Sequence, residues 1–255
     1  MPMDYDINPT QRLPGLHIAG MVTRRFLINY PVAPNMLLPL LPPGAEVSTW
    51  DRCAWVSACF VNVQHMRPSG IPRTLGMEFN YLIHRTRARL PFPDGVKREA
   101  VLVLEPNINR RVFASIGRKI PGVRFLAREI VLTEAADSWN LCLRDRSNIM
   151  LYEAEISKAS VGKTPPQGSQ FSSIQEADRF LLGVSYGGEW TADTGRLRLL
   201  AETHDPWETF MATCHTKRNV FLESLTGQSI QADHVITMTH IPHYFALSAV
   251  DVKVA

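Results

Sequence analysis

The 255-residue sequence has no long apolar run, no cysteines at metal-ligand spacing and no strong charge of either sign. Each absence removes a class of function. Nothing approaches the roughly 20 apolar residues of a membrane-spanning helix. The polar, Pro-containing start MPMDYDINPTQRLPG is no secretion signal. Cys53, Cys59, Cys142 and Cys214 lack CxxC spacing and sit mostly in apolar runs. They read as buried small hydrophobes in a reducing compartment, with the cytoplasm as the expected location. A net charge of +3, with Lys and Arg dispersed, argues against a nucleic-acid partner. There is no GxGxxG and no Gly-rich phosphate loop; GVSYGGEW has the wrong glycine spacing for either and reads as a turn before a strand. The eight histidines show no zinc spacing, and in HIPH Pro242 forbids the helix that would bring His240 and His243 to one metal. No metal and no cofactor are expected.

What the sequence does contain is alternation. Apolar residues make up 45%, enough for a sizeable core, and most recur with a period of two. VTRRFLINY alternates, AWVSACFVNVQH is apolar on both faces as a central strand would be, and EFNYLIHRTRAR and KREAVLVLE flank an Asp94-Gly95 hairpin signal. VRFLAREIVL, SWNLCLRD, NIMLYEAEIS, RLRLLAETH, DHVITMTHIP and YFALSAVDVKV predict further strands. Helical signals are fewer. APNMLLPLLPPG predicts a short helix entered through Pro34. In NINRRVFASIGRKI, Ile108, Val112, Ile116 and Ile120 recur every four positions, with Asn107 as N-cap and Pro121-Gly122 as the stop. SIQEADRFLLG predicts a third helix entered at Ser173, after a surface loop that begins at Ser157. The expected fold class is α+β, mainly antiparallel β, in one domain over residues 1–255, with residues 1–20 as an irregular arm.

The strand from Glu78 to Arg89 carries the most chemistry. Alternation puts Glu78, Asn80, Leu82, His84 and Thr86 on one face. A carboxylate, an amide and an imidazole in a row either face water or line a polar cavity. The other face starts as core with Phe79, Tyr81 and Ile83, then turns to Arg85, Arg87 and Arg89. His65 ends a central strand and reads as a rim histidine; Trp207 in HDPW reads as a packing anchor.

Several stretches together resemble a known family. INYPVAPNMLLPLLPPGAEV, AWVSACFVNVQHMRPSGIP and EFNYLIHRTRAR follow, in order, the pattern of the bacterial family called domain of unknown function 2071. ETHDPWE and YFALSAVDVKV continue the likeness, which covers roughly residues 20 to 253. That family is related to acetoacetate decarboxylase, so the resemblance implies a cone- or barrel-like antiparallel sheet around a small-molecule pocket. It also implies where the decarboxylase's groups would fall. Gly117-Arg118 matches the Gly-Arg at the end of its helix, and Gly122 the turn that follows. The Pro-Lys-Lys that bears the Schiff-base amine then falls on Arg124, Phe125 and Leu126, so Phe125 stands in the nucleophile's place. Lys119 belongs to the helix end, where a cation suits the helix dipole. Glu78 stands where the decarboxylase has an active-site glutamate, and Arg24 or Arg25 where it has a pocket arginine; a second carboxylate would fall near Cys59-Phe60 and is missing.

The resemblance therefore implies an uncharacterised protein that lacks the Schiff-base lysine. One reading is lyase-like, lysine-independent chemistry on a small oxo or carboxylic acid. Glu78 is then the catalytic acid or base, with Arg24, Arg25, Asn80, His84, Arg118 and Phe125 around the substrate. The alternative is a non-catalytic small-molecule binding protein with the same pocket. A third is a domain for oligomerisation or partner contact, its pocket filled by Phe125 and Met77. The expected partner is a small organic acid or other small molecule, with no nucleic acid and no membrane; homo-oligomerisation stays open.

Overall fold

Long alternating segments become long strands because one face of each can be buried while its backbone hydrogen-bonds sideways. The computed structural model describes residues 16–253 apart from 69, 93, 117–123, 185 and 205–206. In chain order the elements are β1 (Leu16–Val32), α1 (Pro34–Leu37), β2 (Glu46–Val47), β3 (Thr49–Trp50), β4 (Cys53–Pro68), β5 (Met77–Pro91) and β6 (Lys97–Ile108). Then follow α2 (Arg111–Ile116), β7 (Leu126–Ala127), β8 (Glu129–Glu134), β9 (Ser138–Arg144), β10 (Met150–Ser157) and α3 (Ile174–Leu181). The last are β11 (Tyr186–Thr191), β12 (Arg196–His204), β13 (Phe210–Ala212), β14 (Cys214–Asn219), α4 (Val220–Thr226) and β15 (His234–Lys253). The architecture is α+β and mainly antiparallel, as the alternation predicts.

Two sheets carry the fold. In the larger, β5 pairs with β4, β4 with β1, β1 with β15, β15 with β12, β12 with β11, β11 with β6, and β6 with β5 again. The pairings thus run round a ring, antiparallel except at the parallel β6–β11 seam. β14, β10, β9 and β8 form a second, four-stranded antiparallel sheet.

The two faces of the ring are distinguished by what they pack against. Leu27, Trp55, Cys59, Val61, Phe79, Ile236 and Met238 form one core with Phe171 and with Ile174, Ala177 and Phe180 of α3. This is the inner face, because Arg25 on β1 and Val101 on β6 line one cleft although those strands are not neighbours in the ring. Phe26, Ile28, Tyr30, Phe60 and Leu82 point the other way and pack on Leu141, Leu143, Tyr152 and Ile156 of the second sheet. There the Tyr30 hydroxyl lies 3.0 Å from that of Tyr152 and 2.9 Å from Thr216 Oγ1. Burial drives both phenols well above their ordinary range, so they remain neutral donors.

Several expectations need correction. β1 begins at Leu16, so residues 16–20 are strand rather than arm. Asn107 is no helix cap: β6 continues through Ile108, Asn107 is fully buried, and its side-chain oxygen accepts from Arg128 Nη1 at 2.9 Å. The described part of that helix starts at Arg111. The two C-terminal strands are one 20-residue strand that runs through Pro242. YGGEWT, read as a turn, is β11 itself. Gly188 is required there because a Cβ would fall 2.5 Å from the Arg198 carbonyl oxygen. Of the four cysteines only Cys59 is buried; the other three are half-buried. The helix at Ser173 is present, with Ser173 Oγ accepting from Glu176 N at 3.2 Å and Glu176 accepting from Ser172 N at 3.0 Å.

Candidate functional site

The inner face turns polar toward the C-terminal end of α3. A helix leaves its last carbonyls without intrahelical donors, and here arginines of β5 supply them. Arg87 Nη1 donates to the carbonyls of Phe180 at 2.5 Å and Arg179 at 2.9 Å, while its Nε is held by Glu99 at 2.7 Å. Arg85, 6% exposed, donates from Nη2 to the Leu181 carbonyl at 3.1 Å. On β1, Arg25 is equally buried, at 6%, and its guanidinium sits 5.1 Å from the centre of the Trp207 ring. Arg25 and Arg85, with Val101, Leu182, Val184, Tyr186 and Trp207, line one cleft that encloses about 10 Å³, room for about one water molecule.

A half-buried carboxylate stands on the same face, outside the lining of that cleft. In register, Arg85 opposes Val103 and Val103 opposes Glu189, so the three side chains point the same way. Glu189 Oε2 accepts from the Arg124 backbone N at 2.8 Å. Burial raises the pKa of Glu189, and the bond from Arg124 only partly offsets this. Phe125, next in sequence, packs on Tyr81 with ring centres 6.1 Å apart.

The expected site residues are thereby divided. Arg25 and Phe125 belong to the inner face. Arg24 faces the second sheet, 4.9 Å over the Trp139 ring and 3.4 Å from Glu134. Glu78 is exposed at the start of β5, where its backbone carbonyl accepts from Arg110 Nε at 3.0 Å. Asn80 accepts from Asn62 Nδ2 at 2.6 Å. In that row Leu82 and His84 are covered by the second sheet and α4, and Asn80 is half-buried beside Asn62. His84, 1% exposed, stacks on Phe221 at 4.5 Å and lies 3.0 Å from Glu105 Oε2. Arg118 and Lys119 lie outside the described residues, as do the Gly117 and Gly122 matches.

Sequence reading missed Arg85 and Glu189 as site residues. Arg85 was visible as the point where an apolar strand face turns basic. Glu189 carried a weaker signal, a single acid in a short alternating strand after Gly187-Gly188. Two further features lie outside this cleft. An open groove of about 470 Å³ crosses the second sheet at Asp137, Glu155, Cys214 and His215. Under α3, Ser57 donates to Asn29 at 2.7 Å, Asn29 Nδ2 lies 3.0 Å from His234 Nε2, and His234 Nδ1 lies 2.6 Å from Asp233. Among the described residues no group of His, Cys, Asp and Glu could hold a metal ion, and no helix is long and apolar enough to cross a membrane.

The chain is similar in structure to an acetoacetate decarboxylase from Legionella pneumophila, with a TM-score of 0.67 at 12% identity over 94% of this chain and 89% of that one. It is similar to the enduracididine biosynthesis enzyme MppR in its complex with pyruvate, with a TM-score of 0.64 at 15% identity over 95% and 92%. An acetoacetate decarboxylase-like enzyme from Sphingomonas wittichii RW1 gives a TM-score of 0.62 at 10% identity over 98% of both chains. Among curated proteins none matches. The model of an uncharacterised conserved family matches residues 21–242. The chain therefore belongs to that family, domain of unknown function 2071, and its fold is that of the acetoacetate decarboxylase-like proteins.

Proposed function

We propose that the chain binds a small oxo or carboxylic acid in the inner cleft and acts on it by proton transfer, without a Schiff-base amine. The observation that carries this reading is Arg25, nine-tenths buried and stacked on Trp207 in a narrow cleft. A planar fork of donors suits a carboxylate, and burial strengthens each such bond. Glu189 is the carboxylate best suited to move a proton, because a raised pKa brings an acid closer to neutrality. It is preferred to Glu78, which stands exposed at the start of β5. In this scheme Arg25 holds the substrate carboxylate, Glu189 removes a proton from the carbon beside the oxo group, and the same proton returns to carbon or to solvent. The fold shared with MppR, solved with pyruvate, supports a small oxo acid as the occupant.

A second reading, binding without turnover, is favoured by the small enclosed volume and by the arginine clamp on α3. One experiment separates the two. Calorimetric titration with pyruvate and other short 2-oxo acids is run on wild type, Arg25→Met and Arg24→Met. In parallel, exchange of the ligand's C3 protons in D₂O is followed by NMR. Arg25→Met is expected to weaken binding by about tenfold or more and Arg24→Met to leave it unchanged. Glu189→Gln should bind but not catalyse exchange. Equal weakening by both arginine variants would refute the cleft, and binding without exchange in wild type would leave the non-catalytic reading.

A further inference from the structure

We propose that one end of the ring attaches the protein to an anionic membrane surface, through apolar side chains collared by arginines. The turn from β4 into β5 carries Ile71, Leu75 and Met77, three of the nine large apolar side chains that the described residues leave exposed. Leu75, at 70%, is the most exposed of the nine. Residues 70–75 are exposed without interruption, so this turn projects from the ends of two long strands. A fourth such side chain, Val112 at 59%, stands on α2. The two segments adjoin. Arg110 Nε donates to the Glu78 carbonyl at 3.0 Å, Asn109 N donates to the Asn80 carbonyl at 3.0 Å, and Asn80 N donates to Asn109 Oδ1 at 2.9 Å. Met77 is one residue from Glu78 and Val112 two from Arg110, so these bonds join the apolar side chains in one patch. Single apolar side chains on a surface are ordinary, whereas a patch of them marks a contact.

Charge selects the partner. Residues 70–78 and 109–112 hold Arg73, Arg110 and Arg111 against the one acid Glu78, a net charge of +2 (three minus one). Exposed cations elsewhere are neutralised, as Arg89 and Lys97 are by Glu46 and Arg98 by Asp94. Among the described residues Arg73 and Arg111 have no such acid. A second copy seated symmetrically on this patch would set its arginines against the same arginines. Nucleic acid supplies phosphates but no apolar layer for Leu75 and Met77. An anionic bilayer supplies both, headgroups for the arginines and the acyl boundary for the apolar tip. Arg67 holds the tip in place, donating to the carbonyls of Ile71 at 2.8 Å and His65 at 2.9 Å. Surface attachment requires no spanning segment, the lack of which underlay the expectation of no membrane partner.

The test is co-sedimentation of the full chain with phosphatidylcholine vesicles, with and without phosphatidylglycerol, at low and moderate salt. Wild type is expected to bind only the vesicles that contain phosphatidylglycerol, and less tightly as salt rises. Arg73→Gln and Arg111→Gln should each weaken binding about fivefold, the worth of one cation near an anionic surface. Leu75→Ser combined with Met77→Ser should weaken it about tenfold or more. Leu38→Ser and Arg146→Gln, at exposed positions elsewhere, should leave it unchanged. Urea unfolding checks that each variant keeps the wild-type fold. Failure of wild type to bind either vesicle overturns the proposal, and so does equal weakening by the two control variants. Binding that falls with the arginines but not with Leu75 and Met77 overturns it in favour of a nucleic-acid surface. Sedimentation velocity gives the last outcome: self-association that Leu75→Ser abolishes, without vesicle binding, overturns it in favour of a contact between copies.

Discussion

Replacing Glu105 by glutamine tests how much one half-buried carboxylate contributes to the junction of the two sheets. Glu105 lies on the outer face of β6, 3.0 Å from His84 Nδ1 and 2.7 Å from Arg128 Nη1. Burial alone would raise its pKa; the bonds and charges of His84 and Arg128 outweigh this and hold it at about 2, against an ordinary 4.5. At about 1.4 kcal/mol per unit, the ionised form is favoured in the folded state by at most about 3 kcal/mol. The sign follows from the depressed value. The contribution is fully present above the unfolded pKa and is lost as the pH falls through the folded one. Urea unfolding of wild type and Glu105→Gln should therefore differ by about 2–3 kcal/mol at pH 7. That difference should shrink to about half by pH 3. A cost below about 1 kcal/mol at pH 7, or the same cost at both pH values, would show that the pair does not stabilise the fold in this way.

Two further substitutions probe local structure. Gly188→Ala should cost about 1–3 kcal/mol in urea unfolding, because its Cβ would meet the Arg198 carbonyl oxygen at 2.5 Å and Leu199 Cδ2 at 2.8 Å; Gly187→Ala, with nothing within 4 Å, should cost far less. Asn219→Ala should lower stability by about 1 kcal/mol, since Asn219 Oδ1 caps α4 by accepting from Leu222 N at 3.1 Å. Serine at 219 should restore most of it, which a mere loss of side-chain volume would not predict.

Much of the sheet was legible because period-two alternation reports a buried face directly. The hairpin at Asp94-Gly95, the strands β1 and β4, and the capped helix at Ser173 all follow from local residues. What local pattern cannot report is which face looks inward. For β5 the polar row at Asn80 and His84 invited a site, yet a second sheet formed by distant residues covers Leu82 and His84. The same ambiguity left Arg24 and Arg25 undivided until the register with β15 and β4 set their directions. Glu189 was hidden for a different reason: its burial depends on the parallel pairing of β11 with β6, a contact with no signature in either strand. α4 had a signature, Asn219 followed by Glu223, but its short apolar stretch gives too few turns for a periodic pattern.

The parallel seam of the ring also bears on how the chain reaches this shape. Val101, Leu102 and Val103 meet Gly187, Gly188 and Glu189 across the seam. Between those partners the chain builds β8, β9 and β10, three of the four strands of the second sheet. Loop-closure entropy rises only slowly with length, but it must be met before a distant pairing returns any free energy. A segment already folded into a hairpin stack has shorter effective length, so forming the second sheet first lowers the cost of shutting the ring. The cleft, which takes residues from β1, β5, β6 and β11, is complete only once that seam has closed. The candidate site therefore depends on a pairing made far along the chain from Arg25, and a change that loosens that seam should disturb the cleft however distant from Arg25 it is made.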